Sequence, residues 1–340
     1  MVGSSRTVAG GALAAAAALL LLANPAQAAK AGRAAVTEQS RRALEDYARL
    51  LFIEHRPKEA WGRHFAPDLM QHDAEIGDGG HADTDFLDKR RAAHPEKYLP
   101  VEQYASVVDN LLADGDLVVA KSRLFTGPQD HGRTFVDMWR IKDGKFVEHW
   151  DVIQPVPSAP LNDATTGCGH VASYAEARLV GDTVARPTCG GPGPASHRAA
   201  SLAVVNAYLA MTRRPGGDAE AVKRFIADDF VQHSPHIPQG KAALAAYFTS
   251  NAAARARAGR HSVTARVVAD GDFVMLHRWV TTRDDPRGQA YIDLFRVRGG
   301  QIAEHWDIIQ PVPPFSVSGR SMVIGPLEPG RTVGPEAAGH

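Results

Sequence analysis

The eleven residues "VEHWDVIQPVP" from Val147 return as "AEHWDIIQPVP" from Ala303, with nine positions identical. Asp114-Gly115-Asp116 matches Asp270-Gly271-Asp272, and "FVDMWRIKDGK" from Phe135 matches "YIDLFRVRGGQ" from Tyr291. Both pairs lie 156 residues apart, with no gap between them. Upstream the offset becomes 161, pairing Tyr47 with Tyr208 and Gln71-His72 with Gln232-His233, so copy one carries a net insertion near "HPEKYLPVEQ". A repeat on this scale means one folding unit used twice, which suits 340 residues. We read copy one as 37–158 and copy two as 198–315. A Gly-, Thr- and Pro-rich linker, 159–197, joins them, and a loose tail, 316–340, follows.

Each copy reads as α+β. Helical spacing in "TEQSRRALEDYARLLFIEH", with Thr37 or Ser40 as N-cap, leads to two shorter helices and a short strand at "LMQH" or "FVQH". Four strands at hairpin spacing follow in copy one, near 101–112, 116–126, 132–141 and 145–154. Helices first and antiparallel strands later predict a curved sheet wrapped on N-terminal helices.

The last hairpin decides where the repeated polar residues meet. A three-residue loop, Lys142–Gly144, pairs Asp137 with His149 and Phe135 with Asp151. A two-residue Asp-Gly turn is the alternative and sets Asp137 opposite Trp150. In the first register Asp137, His149 and Asp151 share one face with Phe135, Trp139 and Ile153, while Val136, Met138, Glu148, Trp150 and Val152 take the other. Copy two repeats the pattern with Asp293, His305 and Asp307, beside Tyr291 and Phe295.

Lys+Arg and Asp+Glu are equal at 38, which argues against nucleic acid or anionic membrane as partner. Arg6, the apolar run "GGALAAAAALLLLA" and Ala26-Gln27-Ala28 read as the parts of an export signal, residues 1–28, placing the mature chain in the periplasm or medium, free of the membrane after cleavage. In that compartment the two cysteines, Cys168 and Cys189, are expected to form a disulfide.

The two "FVDMWRIKDGKFVEHWDVIQPVP"-type segments resemble the end of SnoaL-like polyketide cyclase domains, of the nuclear transport factor 2-like superfamily that also holds ketosteroid isomerases. "QHSPHIPQG" from Gln232 fits the same resemblance. It implies two tandem cone-shaped α+β barrels, each around an apolar pocket. It implies an acid/base Asp at Asp151 and Asp307 with its neighbours His149 and His305, and an oxyanion-hole carboxyl at Asp137 and Asp293. The implied activity is aldol-type cyclisation or isomerisation of a small apolar carbonyl compound, without cofactor. His72, His233 and His236 are expected beside the pockets, although copy one has Glu75 where copy two has His236. The superfamily's habit of pairing implies that the two copies pack as an internal pseudo-dimer. Two other readings compete: a two-His-one-carboxylate metal site from His72, His149 and Asp137 or Asp151, and a secreted module that only binds an apolar molecule.

Overall fold

The computed structural model describes residues 25–157, 160–162, 166–169, 171–181 and 187–324. Most of the expected export signal therefore lies outside the described residues. In copy one a long helix α1 (Pro25–Ala48) runs through a π-helical turn, Arg49–Ile53, and is followed by α2 (Pro57–His64), β1 (Phe65–Gln71) and α3 (Ala82–Ala93). Then come β2 (Ala105–Asp114), β3 (Leu117–Phe125), β4 (Arg133–Lys142) and β5 (Lys145–Pro155). Helix α4 (Tyr174–Gly181) lies in the connection. Copy two repeats the order as α5 (Arg198–Thr212), α6 (Gly217–Phe225), β6 (Ile226–Gln232), α7 (Lys241–Ala258), β7 (His261–Asp270), β8 (Phe273–Thr281), β9 (Gln289–Arg298) and β10 (Gln301–Pro311). The two sheets have equivalent orders, β1-β5-β4-β3-β2 and β6-β10-β9-β8-β7, so this is α+β with the first strand parallel to the last. Thr37 and Ser40 are interior to α1 and cap nothing; the Thr37 hydroxyl donates to the Arg33 carbonyl one turn back.

The final hairpin corrects the favoured register. Its turn has two residues, Asp143 and Gly144, at φ 52° and 76°, as a two-residue hairpin loop requires. Lys142 pairs with Lys145, and a bulge between Arg140 and Ile141 then shifts the ladder by one more residue. Asp137 therefore faces Asp151, and Trp139 faces His149. Copy two does the same with Gly299-Gly300, pairing Asp293 with Asp307 and Phe295 with His305. The displacement from the expected pairing is two residues, and a strand's side chains alternate with period two, so the side chains keep the expected faces.

The other face of each sheet is apolar and turned toward its twin. Val136, Met138, Trp150 and Val152 share one buried cluster with Ile292, Leu294, Trp306 and Ile308. Hydrogen bonds cross this seam reciprocally. Ile153 N donates to Gln310 Oε1 at 2.6 Å and Ile309 N to Gln154 Oε1 at 2.7 Å. Ala113 N donates to Asp270 Oδ2 at 2.9 Å and Ala269 N to Asp114 Oδ2 at 3.1 Å. Residue i meeting j while j's twin meets i's twin is the signature of a two-fold contact.

The expected loose tail needs correction up to Ile324. Val317 N donates to the Ala74 carbonyl, and Met322 and Val323 are buried in the seam, where their apolar side chains leave water. The connection is also ordered in part: Ala177 of α4 is buried against Ala105, Val107 and Phe125. Cys168 and Cys189 are joined, with Cα atoms 5.1 Å apart. Among the described residues no helix is long and apolar enough to cross a membrane.

Candidate functional site

Each sheet curls around a cavity on the face away from the seam. The first measures about 160 Å³, and its walls include Tyr47, Trp61, Phe135, Trp139 and Ile153. The second measures about 340 Å³, and its walls include Tyr208, Phe230, Phe248, Tyr291 and Phe295. Asp137, His149 and Asp151 line the first; Asp293, His305 and Asp307 line the second, together with His236.

Register explains how the histidines are held. Gln71, the last residue of β1, lies beside His149 in the parallel ladder, and Gln232 lies beside His305. Gln71 Oε1 accepts from the backbone N–H groups of His72 and Asp73, both at 3.0 Å, which identifies that atom as oxygen. The same oxygen meets His149 Nδ1 at 2.8 Å, so Nδ1 carries a proton. His149 Nε2 is 3.2 Å from Asp137 Oδ1. Gln232 Oε1 likewise accepts from Ser234 N at 2.9 Å and meets His305 Nδ1 at 3.0 Å, while His305 Nε2 is 3.3 Å from Asp293 Oδ1. Trp139 stacks on His149, and Phe295 on His305. Burial opposes the charged form of His149, but the hydrogen bond and charge of Asp137 outweigh it and raise its pKa. Both ring nitrogens are thus engaged. The ring is held between Gln71 and Asp137.

The remaining carboxyls of the two cavities differ. In the first, burial pushes Asp151 well above the carboxylate range, and the charges of neighbouring Asp73 and Asp137 and a hydrogen bond shared with Asp73 add to it. Asp83 is raised to about 6, by burial first and then by Asp73 and Asp137, against the pull of His149. In the second, burial raises Asp307, against His305 and a hydrogen bond from Ser234. Burial also opposes ionisation of Asp293, but the paired Arg278 guanidinium and His305 hold it down to about 2. Asp151 Oδ1 and Asp307 Oδ1 are both buried without a hydrogen-bond partner among the described residues.

His72 and His233, expected beside the pockets, are not there. Alternation at the end of β1 and β6 sends the glutamine inward and the histidine to the seam. His72 Nε2 meets Glu148 Oε1 at 2.9 Å, its Nδ1 donates to the Ser321 carbonyl at 2.7 Å, and its ring stacks on Trp150. His233 meets Glu304 at 3.1 Å and stacks on Trp306. The sheet therefore separates His72 from His149, and the two-His-one-carboxylate metal set is not assembled. Cys168, His233 and Glu304 do lie close together, but Cys168 is spent in its disulfide and offers no thiolate.

The sequence analysis does not single out Gln71 and Gln232; pairing "LMQH" with the last strand by face would identify them. It also leaves out Asp73, Asp83, Arg260 and Arg278, whose place on the cavity walls follows only from the three-dimensional wrap.

The SnoaL-like domain family model matches residues 44–149 and again 205–305, together more than half of the chain. The chain belongs to the SnoaL-like family. Its two matched segments fall one in each copy and end at His149 and His305, so they hold both His–Asp dyads, while Asp151 and Asp307 lie two residues beyond them. Solved structures similar to part of it include TsrD from Streptomyces laurentii, at 17% identity over 33% of this chain and 90% of that one, with TM-score 0.27. A SnoaL-like family protein from Agrobacterium tumefaciens has 18% identity over 33% of this chain and 98% of its own, with TM-score 0.28. An NTF2-like protein from Burkholderia xenovorans has 20% identity over 34% and 92%, with TM-score 0.27. No curated protein matches the chain.

Proposed function

We propose that this SnoaL-like chain moves protons on a small carbonyl compound, as the first half of an aldol-type ring closure or an isomerisation. The observation that carries this reading is the pair of buried carboxyl oxygens, Asp151 Oδ1 and Asp307 Oδ1, left without partners beside a positioned His–Asp dyad in an apolar cavity. An unmet buried carboxyl oxygen costs about 1–3 kcal/mol, and the chain carries that cost twice at equivalent places.

The chemistry needs an acceptor for the α-proton and a donor for the carbonyl oxygen. In the first cavity Asp151, kept neutral, donates to the oxygen, and Asp83, titrating at about 6 on the same wall, accepts the proton. Return of the proton to a different carbon isomerises the compound. Attack of the enolate carbon on a second carbonyl closes a ring, and the new alkoxide takes the proton. Neither route needs an oxidant or a cofactor. In this reading the segment 1–28 serves as an export signal, the work is done outside the cytoplasm, and the two copies act as an internal pair through their seam.

A second reading, ligand holding without turnover, is favoured in the second cavity only, because Arg278 ties Asp293 in an ion pair. The test is α-proton exchange with D2O, followed by NMR over a panel of small ketones and aldehydes. Exchange is expected with the native chain and lost in Asp151→Asn. Exchange that persists in Asp151→Asn and Asp307→Asn together would overturn the acid–base role.

A further inference from the structure

The duplication supplies an internal control for the second cavity. Three wall positions at the 156-residue offset can be compared directly, and all six residues line their cavities. Copy one has Tyr104, Ser122 and Phe135; copy two has Arg260, Arg278 and Tyr291. At the 161-residue offset, copy one's Asp73, Glu75 and Asp83 become Ser234, His236 and Leu244. At these six positions the wall has lost three acidic side chains and gained two guanidinium groups; elsewhere on the linings copy one keeps Arg90, stacked over Phe86 and Tyr98, and copy two adds Asp218.

Those two cations converge on one ring. Arg260 Cζ lies 5.1 Å and Arg278 Cζ 6.0 Å from the centroid of Tyr291. Arg278 spends one terminal nitrogen on Asp293 and reaches Ser262 Oγ at 3.4 Å with the other. Its Nε is buried and meets no acceptor among the described residues. Arg260 is exposed at the cavity rim, and no carboxylate among the described residues pairs with it. Phe230, Leu244 and Phe248 line the same cavity. An apolar lining with two guanidinium groups, one pinned and one unpaired, matches a molecule with an apolar body and an anionic end.

We propose that the second cavity is a site for a small organic carboxylate, with its anionic group between Arg260 and Arg278 and its body on the aromatic wall, and that the first cavity takes uncharged molecules. This names the ligand class for one of the two cavities on which the proton-transfer reading rests. The roles divide accordingly: the acid-rich cavity works on a neutral carbonyl compound, and the arginine-lined cavity holds an acidic one.

The test uses the full chain and two isosteric probes, 2-naphthoate and 2-naphthamide, titrated by calorimetry at low and moderate salt. Naphthoate is expected to bind at least about tenfold more tightly than naphthamide, with affinity falling as salt rises. Arg260→Tyr, which installs the copy-one residue at an exposed position, is expected to weaken naphthoate about tenfold and leave naphthamide unchanged. Arg278→Ser serves as a second variant, checked by its unfolding curve because it strands Asp293. Equal affinity for the two probes, or naphthoate binding indifferent to Arg260→Tyr, would overturn the assignment. Proton exchange on neutral ketones, run on the same samples, separates the two claims. Naphthoate bound without any exchange sinks the chemistry alone; exchange without naphthoate preference sinks the anion site alone.

Discussion

Around its dyad the first cavity sets Asp73, Glu75 and Asp83 with one arginine, Arg90; around the same dyad the second sets Arg260 and Arg278 with one further acid, Asp218. Gln71–His149–Asp137 and Gln232–His305–Asp293 superimpose in role, bond for bond. Yet Asp83 and Asp151 are pushed up in one, while Asp293 is pulled down to about 2 in the other. The difference shows which residues two jobs constrain and which only one. The repeated "EHWD" serves both faces of its strand. His and Asp enter the cavity; Glu and Trp enter the seam, where their twins meet them. The walls answer to the ligand alone, and there the copies have diverged.

The largest expected effect tests whether the seam is truly common to both copies. Trp150 is fully buried, with Arg266 Cζ 3.7 Å from its ring centroid. Trp150→Ala should cost about 3–5 kcal/mol in denaturant unfolding, and Trp306→Ala should do the same. Loss confined to the mutated copy, seen as two separate transitions, would mean that the halves are energetically independent. Next comes the Cys168–Cys189 bridge, which closes a 21-residue separation. Its reduction should cost about 3 kcal/mol by the loop-entropy relation. Cys189 is buried in the seam, so reduction should loosen both copies rather than the linker alone.

Importing one copy's residue into the other sharpens the contrast. Asp83→Leu puts the copy-two residue into copy one. Asp83 is raised from 3.8 to about 6, so between those values the native state holds the proton more tightly than the unfolded chain. Stability therefore falls as pH rises through this window, and the ionised carboxyl is a cost at neutral pH and above. Asp83→Leu should gain up to about 3 kcal/mol at pH 8, and the gain should vanish as pH drops toward 4. It should also abolish proton exchange in the first cavity, which a purely structural Asp83 would leave untouched. A gain independent of pH would refute the raised pKa.

Much of this was legible in the repeat. The duplication set the number of units, the hairpin spacing set the strands, and alternation set the faces of Asp137, His149 and Asp151. That last inference survived a wrong turn assignment because the two-residue turn and the bulge between Arg140 and Ile141 each slipped the ladder by one residue, an even total. The histidines at 72 and 233 lie in the seam because the glutamine before each of them takes the inward face. One step along a strand reverses the face. Arg260, Arg278 and Asp83 were invisible because they reach the cavity from the rim, a middle strand and a helix, and no local pattern marks them. The tail to Ile324 was misjudged because its Gly, Pro and Ser content reads as loose. Its two apolar residues, Met322 and Val323, do the docking.

The contrast in electrostatic setting is open to a single direct reading, site-assigned 13C titration of the aspartate carboxyls in the intact chain. Asp151 should titrate well above 3.8, Asp83 should titrate at about 6, and Asp293 should stay ionised down to about 2. If all three instead titrate together near 3.8, as exposed aspartates do, the two cavities are electrostatically alike and their division of labour falls.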